Sequence, residues 1–368
     1  MEFITTKKLL ENNDNPILIL DVRNKNSFND WNIRGSINID VSDDIWDNNF
    51  EKVKQMFEGL PKDKKIVTVC NAGITSQHAS RILEEMGYKT LVLEHGMMGW
   101  NKLHKEAEVI NKSDLLIKQI ARVGKGCLSY LIGSKSAKEC FIVDPSQFVD
   151  EYVIIANDVG LKIKGIIETH VHADHLSGAK SLANITKAKY YVSGADLSAK
   201  IDFVDLDQIN EISIGINKIK IIPTPGHTNG SVCLIVNDQV LITGDTLFLE
   251  GAGRPDLGRS REDIKRGALK LYESLNLIKK MYKNLIVLPA HFTSCNELPI
   301  SVELGVLLDK NKILKFSLAE DFVEYITSNL PMVPPNYEQI KRLNMECTNI
   351  PLQIGEKLEF GPNRCASR

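Results

Sequence analysis

The sequence predicts an α/β protein of two successive domains: a small parallel α/β unit, then two sheets packed together with helices outside. Three observations carry this expectation. At 368 residues the chain is too long for one ordinary core. Near its start, short β-branched runs at 17–22 and 65–70 alternate with helical patterns, as buried parallel strands do. From residue 114 onward many strand-like runs are punctuated by helices.

Composition narrows the class of partner. A hydrophobic fraction of 43% and a charged fraction of 25% are those of a globular domain, and a net charge of −2 offers no electrostatic case for nucleic acid or an anionic membrane. The opening Met1-Glu-Phe-Ile-Thr-Thr carries an early acid and has no apolar stretch followed by small residues, so it does not read as a secretory signal. No run approaches the length of a membrane helix, and the expectation is a cytoplasmic protein, compatible with a homo-oligomer. Seven widely spaced cysteines, an odd number, fit a reducing compartment with one or two chemically used thiols.

In the first domain the run at 65–70 ends in Cys70-Asn71-Ala72-Gly73-Ile74-Thr75-Ser76, which opens a helix over 76–86 closed by Gly87. A thiol is thereby held where backbone N–H groups and the positive end of a helix dipole favour a thiolate or persulfide anion. His78, His95 and His104 are isolated histidines and receive no role. The charge-rich stretch 101–113 lacks a strong period and reads as connecting chain, with 109–113 as the linker between domains 1–108 and 114–368.

This first part resembles rhodanese domains. The likeness rests on Asp21-Val-Arg23, Ile33-Arg-Gly-Ser-Ile-Asn-Ile39, the loop from Cys70 to Gly73, and Glu94-His-Gly-Met-Met-Gly-Trp100. It implies that Cys70 carries a sulfane sulfur and that residues 71–76 form its loop. Ser76 stands where a phosphatase built on such a loop needs arginine, which disfavours phosphate ester hydrolysis. The loop also has no cationic side chain for charge-assisted capture of a dianion such as thiosulfate.

The second domain begins with a β-hairpin pattern, Cys127–Ile132 and Glu139–Asp144, followed by a helix near 147–158. Strand-like runs follow before His170 and at 218–222, 231–236, 240–243 and 285–288. The chemistry concentrates in Thr169-His-Val-His-Ala-Asp-His-Leu-Ser-Gly178, where His170, His172, Asp174 and His175 fall within six residues at a strand end. Imidazoles and carboxylates packed this closely need a cation to satisfy them. Three further strand ends supply His227, Asp245 and His291. Cys127, Cys140 and Cys233 lie in apolar runs and read as packing residues; Cys295 and Cys365 are candidates for a secondary sulfur acceptor.

The pattern over about 114–300 resembles the metallo-β-lactamase superfamily, which implies an αββα sandwich. Two kinds of member fit. A glyoxalase II type would be a binuclear zinc hydrolase of thioesters using all of His170, His172, Asp174, His175, His227, Asp245 and His291. A persulfide dioxygenase type would hold one Fe(II) per chain on His170, His227 and Asp245, leaving His172, Asp174, His175 and His291 as surrounding or second-metal residues. The segment Gly244-Asp-Thr-Leu-Phe-Leu-Glu-Gly-Ala-Gly-Arg-Pro-Asp256 and the ending Gly361-Pro-Asn-Arg-Cys365 resemble the dioxygenases. That likeness implies a small-molecule thiol persulfide and O₂ as substrates, sulfite or thiosulfate as product, and Arg254 as the group that holds a carboxylate of the carrier thiol. Thr293 stands where glutathione-using members carry tyrosine, so the carrier stays open between glutathione, CoA and another thiol.

Overall fold

The computed structural model describes every residue except 13–16, 258–259, 293–296, 331 and 368, with backbone alone at 366–367. It contains two compact units. The first comprises Met1–Leu103 with Arg122–Lys125 and Phe360–Pro362; the second holds the remainder.

In the first unit, the strands run in the order Phe3–Ile4, Thr90–Leu93, Lys65–Val69, Ile17–Asp21, Ile37–Asn38, and all the pairings are parallel. The β-branched residues of the central strand are buried on both faces, against one cluster with Leu20, Val53, Phe57 and Leu83 and another with Leu91, Leu93, Met97 and Trp100. Each such side chain contributes about 1.5–3 kcal/mol on burial. Central placement puts Cys70, at the carboxyl end of Lys65–Val69, where the helix Thr75–Glu85 begins.

The second unit is a sandwich. Among the described residues one sheet has the order Val204–Asp205, Lys189–Val192, Lys162–Ile167, Glu139–Val143, Cys127–Ser134, Leu115–Arg122, His104–Lys112. The other has the order Glu211–Ile214, Asn217–Pro223, Val232–Val236, Val240–Gly244, Ile286–Pro289, Val302–Glu303. Inward residues of both sheets, among them Ile117, Tyr130, Ile132, Ile219, Leu234 and Ile242, form a shared core. Outside, the helices Val149–Asp158 and Ala179–Thr186 cover the first sheet, and Arg261–Lys279 and Ala319–Ser328 cover the second. The longest helix starts where Ser260 accepts a hydrogen bond from the Asp263 N–H, with Glu262 and Asp263 in its first turn and Lys279 in its last.

One expectation needs correction. The stretch containing the 109–113 linker is a strand, His104–Lys112, because pairing at the sheet edge stabilises a charged sequence that has no periodicity of its own. Leu115–Arg122 lies beside it, fully buried in the same sheet. Cys295 and Thr293 lie outside the described residues.

Candidate metal centre and sulfur site

The motif loop follows the buried strand Lys162–Ile167 and is held by backbone-directed side chains. Asp144 accepts from both the N–H and the hydroxyl of Thr169, each at 2.7 Å. Asp196 ties this loop to the His227 loop, since its carboxylate accepts from Val171 N–H, Thr228 hydroxyl and Gly230 N–H. The Asn344 amide, on the helix Tyr337–Met345, donates to the carbonyls of His172 and His175. Glu359 accepts from Leu176 N–H at 2.7 Å. Asn344 and Glu359 escaped sequence reasoning because nothing local marks a residue more than 160 positions away as a brace for this loop.

His170, His227 and Asp245 bring two imidazole nitrogens and a carboxylate oxygen within 4.8 Å of one another, all buried. Their tautomers follow from the hydrogen bonds. His227 Nδ1 lies 2.7 Å from the Arg254 carbonyl, which can only accept, so Nδ1 carries the proton and Nε2 presents its lone pair. Thr169 spends its hydroxyl proton on Asp144, so at 2.9 Å it accepts from His170 Nδ1, again leaving Nε2 free to ligate. Burial and the neighbouring His172 hold His170 well below the usual imidazole range, which keeps it neutral.

The site's donor atoms fit a cation. His170 Nε2, His175 Nε2 and Asp245 Oδ2 are buried without a hydrogen bond. The nearest approaches run 3.8 Å from His170 to Asp245, 3.5 Å from His227 to Asp245 and 3.1 Å from His291 to Asp245. Burial would raise the Asp245 carboxyl, yet the surrounding imidazoles of His291, His170 and His227 pull it well below the usual carboxylate range. Burial would likewise lower His291, but Asp245 and Asp174 hold it well above the usual imidazole range. His170, His227 and Asp245 together offer two imidazole nitrogens and one carboxylate, a donor set that can hold a divalent metal ion.

Around this triad lie His172, Asp174 and His175, also mutually within 4.8 Å, and two cysteines. Cys127 was expected to be a packing residue. Its Sγ instead lies 3.3 Å from Asp174 Oδ2 and 3.8 Å from His175 Nδ1, because it opens its strand at the rim where a side chain points to the loops and not into the core. Cys140 and Cys233 are fully buried within strands. Cys365 is brought to Asp245 and His291 by the terminal strand, whose Ala366–Ser367 pairs antiparallel with Ala252–Gly253. Burial, with Asp174 and Asp245 nearby, pushes its thiol well above the usual range.

Arg254 is 1% exposed, its guanidinium is paired bidentately with Asp256 at 2.7 and 2.8 Å, and it donates to the carbonyls of Met332 and Arg364. Its backbone carbonyl also reaches the centre, accepting from His227 Nδ1. Gly253 permits this approach, since a Cβ there would meet the Asp245 carbonyl at 2.0 Å.

In the first unit Cys70 is buried, with its Sγ accepting from Gly73 N–H at 3.1 Å and lying 3.3 Å from the Ser76 hydroxyl. The loop is seated by Met97 and Met98, whose N–H groups donate to the Cys70 and Asn71 carbonyls. Gly96 has φ +52°, and a Cβ there would sit 2.1 Å from the Cys70 carbonyl, so the close approach needs glycine. Arg23 is consumed by Asp21 and the Trp31 carbonyl, and Ile74 is exposed at the loop tip.

The Metallo-beta-lactamase superfamily profile matches residues 122–291, and the Rhodanese-like domain profile matches residues 5–103. Among curated relatives, the probable polyketide biosynthesis zinc-dependent hydrolase BaeB of Bacillus velezensis is 32% identical over 205 residues, covering 53% of this chain and 85% of BaeB. The mitochondrial persulfide dioxygenase ETHE1 of Mus musculus is 28% identical over 181 residues, covering 48% of this chain and 68% of that protein. A crystal structure of a metallo-beta-lactamase from Staphylococcus aureus is similar with a TM-score of 0.59 at 29% identity, over 65% of this chain and 74% of that one. With the sandwich, its strand-end ligand cluster and these matches together, the chain belongs to the metallo-beta-lactamase superfamily and carries a rhodanese-like domain ahead of that fold.

Proposed function

We propose that the protein is a persulfide dioxygenase with an attached sulfurtransferase domain, converting R–S–SH, O₂ and water to R–SH, sulfite and two protons. The observation that carries this reading is the buried triad His170, His227 and Asp245, in which hydrogen bonds leave both imidazoles neutral with Nε2 outward. Fe(II) bound there would supply open coordination positions for a persulfide sulfur and O₂, and the redox chemistry that joins them.

The chain's own residues prepare that chemistry. Asp144 and the Arg254 carbonyl fix the two imidazole rings through Thr169 and directly, so little reorganisation accompanies binding. Asp245 contributes one full negative charge to an otherwise neutral donor set. In the first unit, Gly73 N–H and Ser76 hydroxyl hold a thiolate or persulfide at Cys70, which exchanges sulfane sulfur with small thiols or with sulfite. The loop's lack of cationic side chains favours persulfides over thiosulfate as donors.

The test is the metal content of protein purified without added metal, coupled to O₂ uptake with a preformed persulfide. About one iron per chain and persulfide-dependent O₂ consumption are expected, and Asp245→Ala should lose the iron. Two zinc ions per chain with thioester hydrolysis and no O₂ uptake would sink the proposal. A zinc-dependent hydrolase is the second reading, favoured by the similarity to BaeB and by the adjacent His172, Asp174 and His175.

A further inference from the structure

Ile74, His78 and Trp46 form an apolar strip beside the Cys70 loop, within the first unit, to which the chemistry above gives no task. Ile74 has helical dihedrals at the start of Thr75–Glu85, so His78, four positions on, lies on the same face one turn away. The Trp46 ring packs on the His78 ring, with centroids 5.6 Å apart. Trp46 ends the short helix Ser42–Trp46, and Val41 and Ile45 beside it share a core cluster with Cys70 and Ala79, which seats this helix against the start of Thr75–Glu85. Ile74 is 55% exposed and Trp46 57%. Single exposed apolar side chains are ordinary, but a strip of them leading to a reactive thiol is a surface on which a partner's side chains can be buried.

Charge selects the kind of partner. Asp43, three positions before Trp46 and so on its face of the helix, and Asp47, the next residue, are both exposed. Among the described residues neither is in an ion pair, whereas Asp44 between them is paired with Lys52 at 2.8 Å. The cation nearest the strip in sequence, Arg81, lies three positions past His78, a turn further from Cys70. Thiosulfate, or an anionic thiol persulfide such as that of glutathione, therefore meets carboxylates at the rim of the loop. A basic surface carrying apolar side chains meets attraction there, and beside it a place to bury them.

We propose that sulfane sulfur is delivered to Cys70 by a protein presenting a cysteine persulfide on a basic, apolar surface, which docks on Ile74, His78 and Trp46 with Asp43 and Asp47 at its edge. This rests on the reading of Cys70 as the sulfur acceptor and names its donor. In the transfer the Cys70 thiolate attacks the outer sulfur of the carrier's R–S–SH. The electron pair of the carrier's S–S bond leaves on the inner sulfur as R–S⁻, and Cys70 becomes a persulfide whose outer sulfur keeps its proton. One S–S bond forms as one breaks, so no separate oxidant or reductant takes part.

The experiment offers the full-length protein three donors in the absence of O₂, so that oxidation does not compete. They are a peptide with leucine and lysine on both sides of a persulfidated cysteine, as a model of the carrier surface, the same peptide with glutamate in place of lysine, and glutathione persulfide. Loading is followed by mass spectrometry, as the gain of one sulfur on the alkylated fragment that contains Cys70. The lysine peptide should load Cys70 at least about tenfold faster than the glutamate peptide, and the ratio should shrink as NaCl is raised from about 0.05 M to about 0.5 M. Asp43→Asn combined with Asp47→Asn should bring that ratio below about threefold, and Trp46→Ala should slow loading by the lysine peptide at least about fivefold. Melting curves show whether each variant is folded, and the asparagine pair carries the test if the alanine variant is not. Equal rates for the two peptides, glutathione persulfide loading Cys70 as fast as the lysine peptide, or an unchanged ratio in the asparagine variant would overturn the docking surface and leave Cys70 a sulfur acceptor. If no donor places sulfur on Cys70, the reading of Cys70 fails and the docking surface falls with it.

Discussion

Arg254, to which the dioxygenase-like segment assigns a carrier carboxylate, is paired in the structure with the Asp256 carboxylate of the same chain. Arg254→Ala should therefore act on stability, leaving Asp256 and the Met332 and Arg364 carbonyls without their donor. Breaking a buried charge pair of this kind costs about 3–5 kcal/mol, which for a chain this size is a fall in melting temperature of roughly 1–2 °C for each kcal/mol. A thermal melt with iron analysis checks this; a raised KM with unchanged melting temperature and iron content would restore the substrate role. Asp245 behaves oppositely. It is buried among three imidazoles as the one anion of the triad, so Asp245→Ala should empty the triad, and an alanine variant that retains stoichiometric iron would remove it from the ligand set.

Elements are held together by a few side chains that bridge between them. Asp114 accepts from the Ser134 hydroxyl, the Ser136 N–H and the Asn217 amide, joining the start of Leu115–Arg122 to the turn after Cys127–Ser134 and to the strand Asn217–Pro223 of the other sheet. Donation from Ser134 first, then Ser136, holds its carboxyl down at about 2 from an ordinary 3.8. A depressed carboxylate stabilises the fold above its unfolded value and loses that contribution as pH falls through its folded one. Asp114→Asn should consequently melt below wild type at pH 5, and the gap should close between pH 4 and pH 2. A gap that stays constant across that window would show that the interaction does not depend on the charge.

At the scale of the whole molecule, the proposed division of two chemistries between the two units is testable. Cys70→Ser should keep its iron and consume O₂ with a preformed small-molecule persulfide, because no residue of the triad belongs to the first unit. It should fail to transfer sulfane sulfur, measured as thiosulfate formed from sulfite. Loss of O₂ uptake in a serine variant that still holds iron would place Cys70 inside the oxidation cycle. No helix among the described residues is long and apolar enough to cross a membrane.

The sequence by itself determined the two fold classes and the metal-binding loop, because those signals are local. Buried strands announce themselves as β-branched runs, a thiol before a helix start is visible as Cys70 to Ser76, and His170 to His175 fall within one short segment. Tertiary structure decided everything that depends on which strand ends meet. Leu115–Arg122 and His104–Lys112 become strands through neighbours that pair with them, against weak local signals. Cys127 looks like core in sequence and becomes a neighbour of Asp174 only when its strand end reaches the rim of the sandwich. Cys365 reaches Asp245 and His291 through a strand pairing with Ala252–Gly253, and Asn344 braces a loop far upstream. These are long-range contacts, and residue type and periodicity carry no information about them, because both report only what a residue's near neighbours in the chain can do.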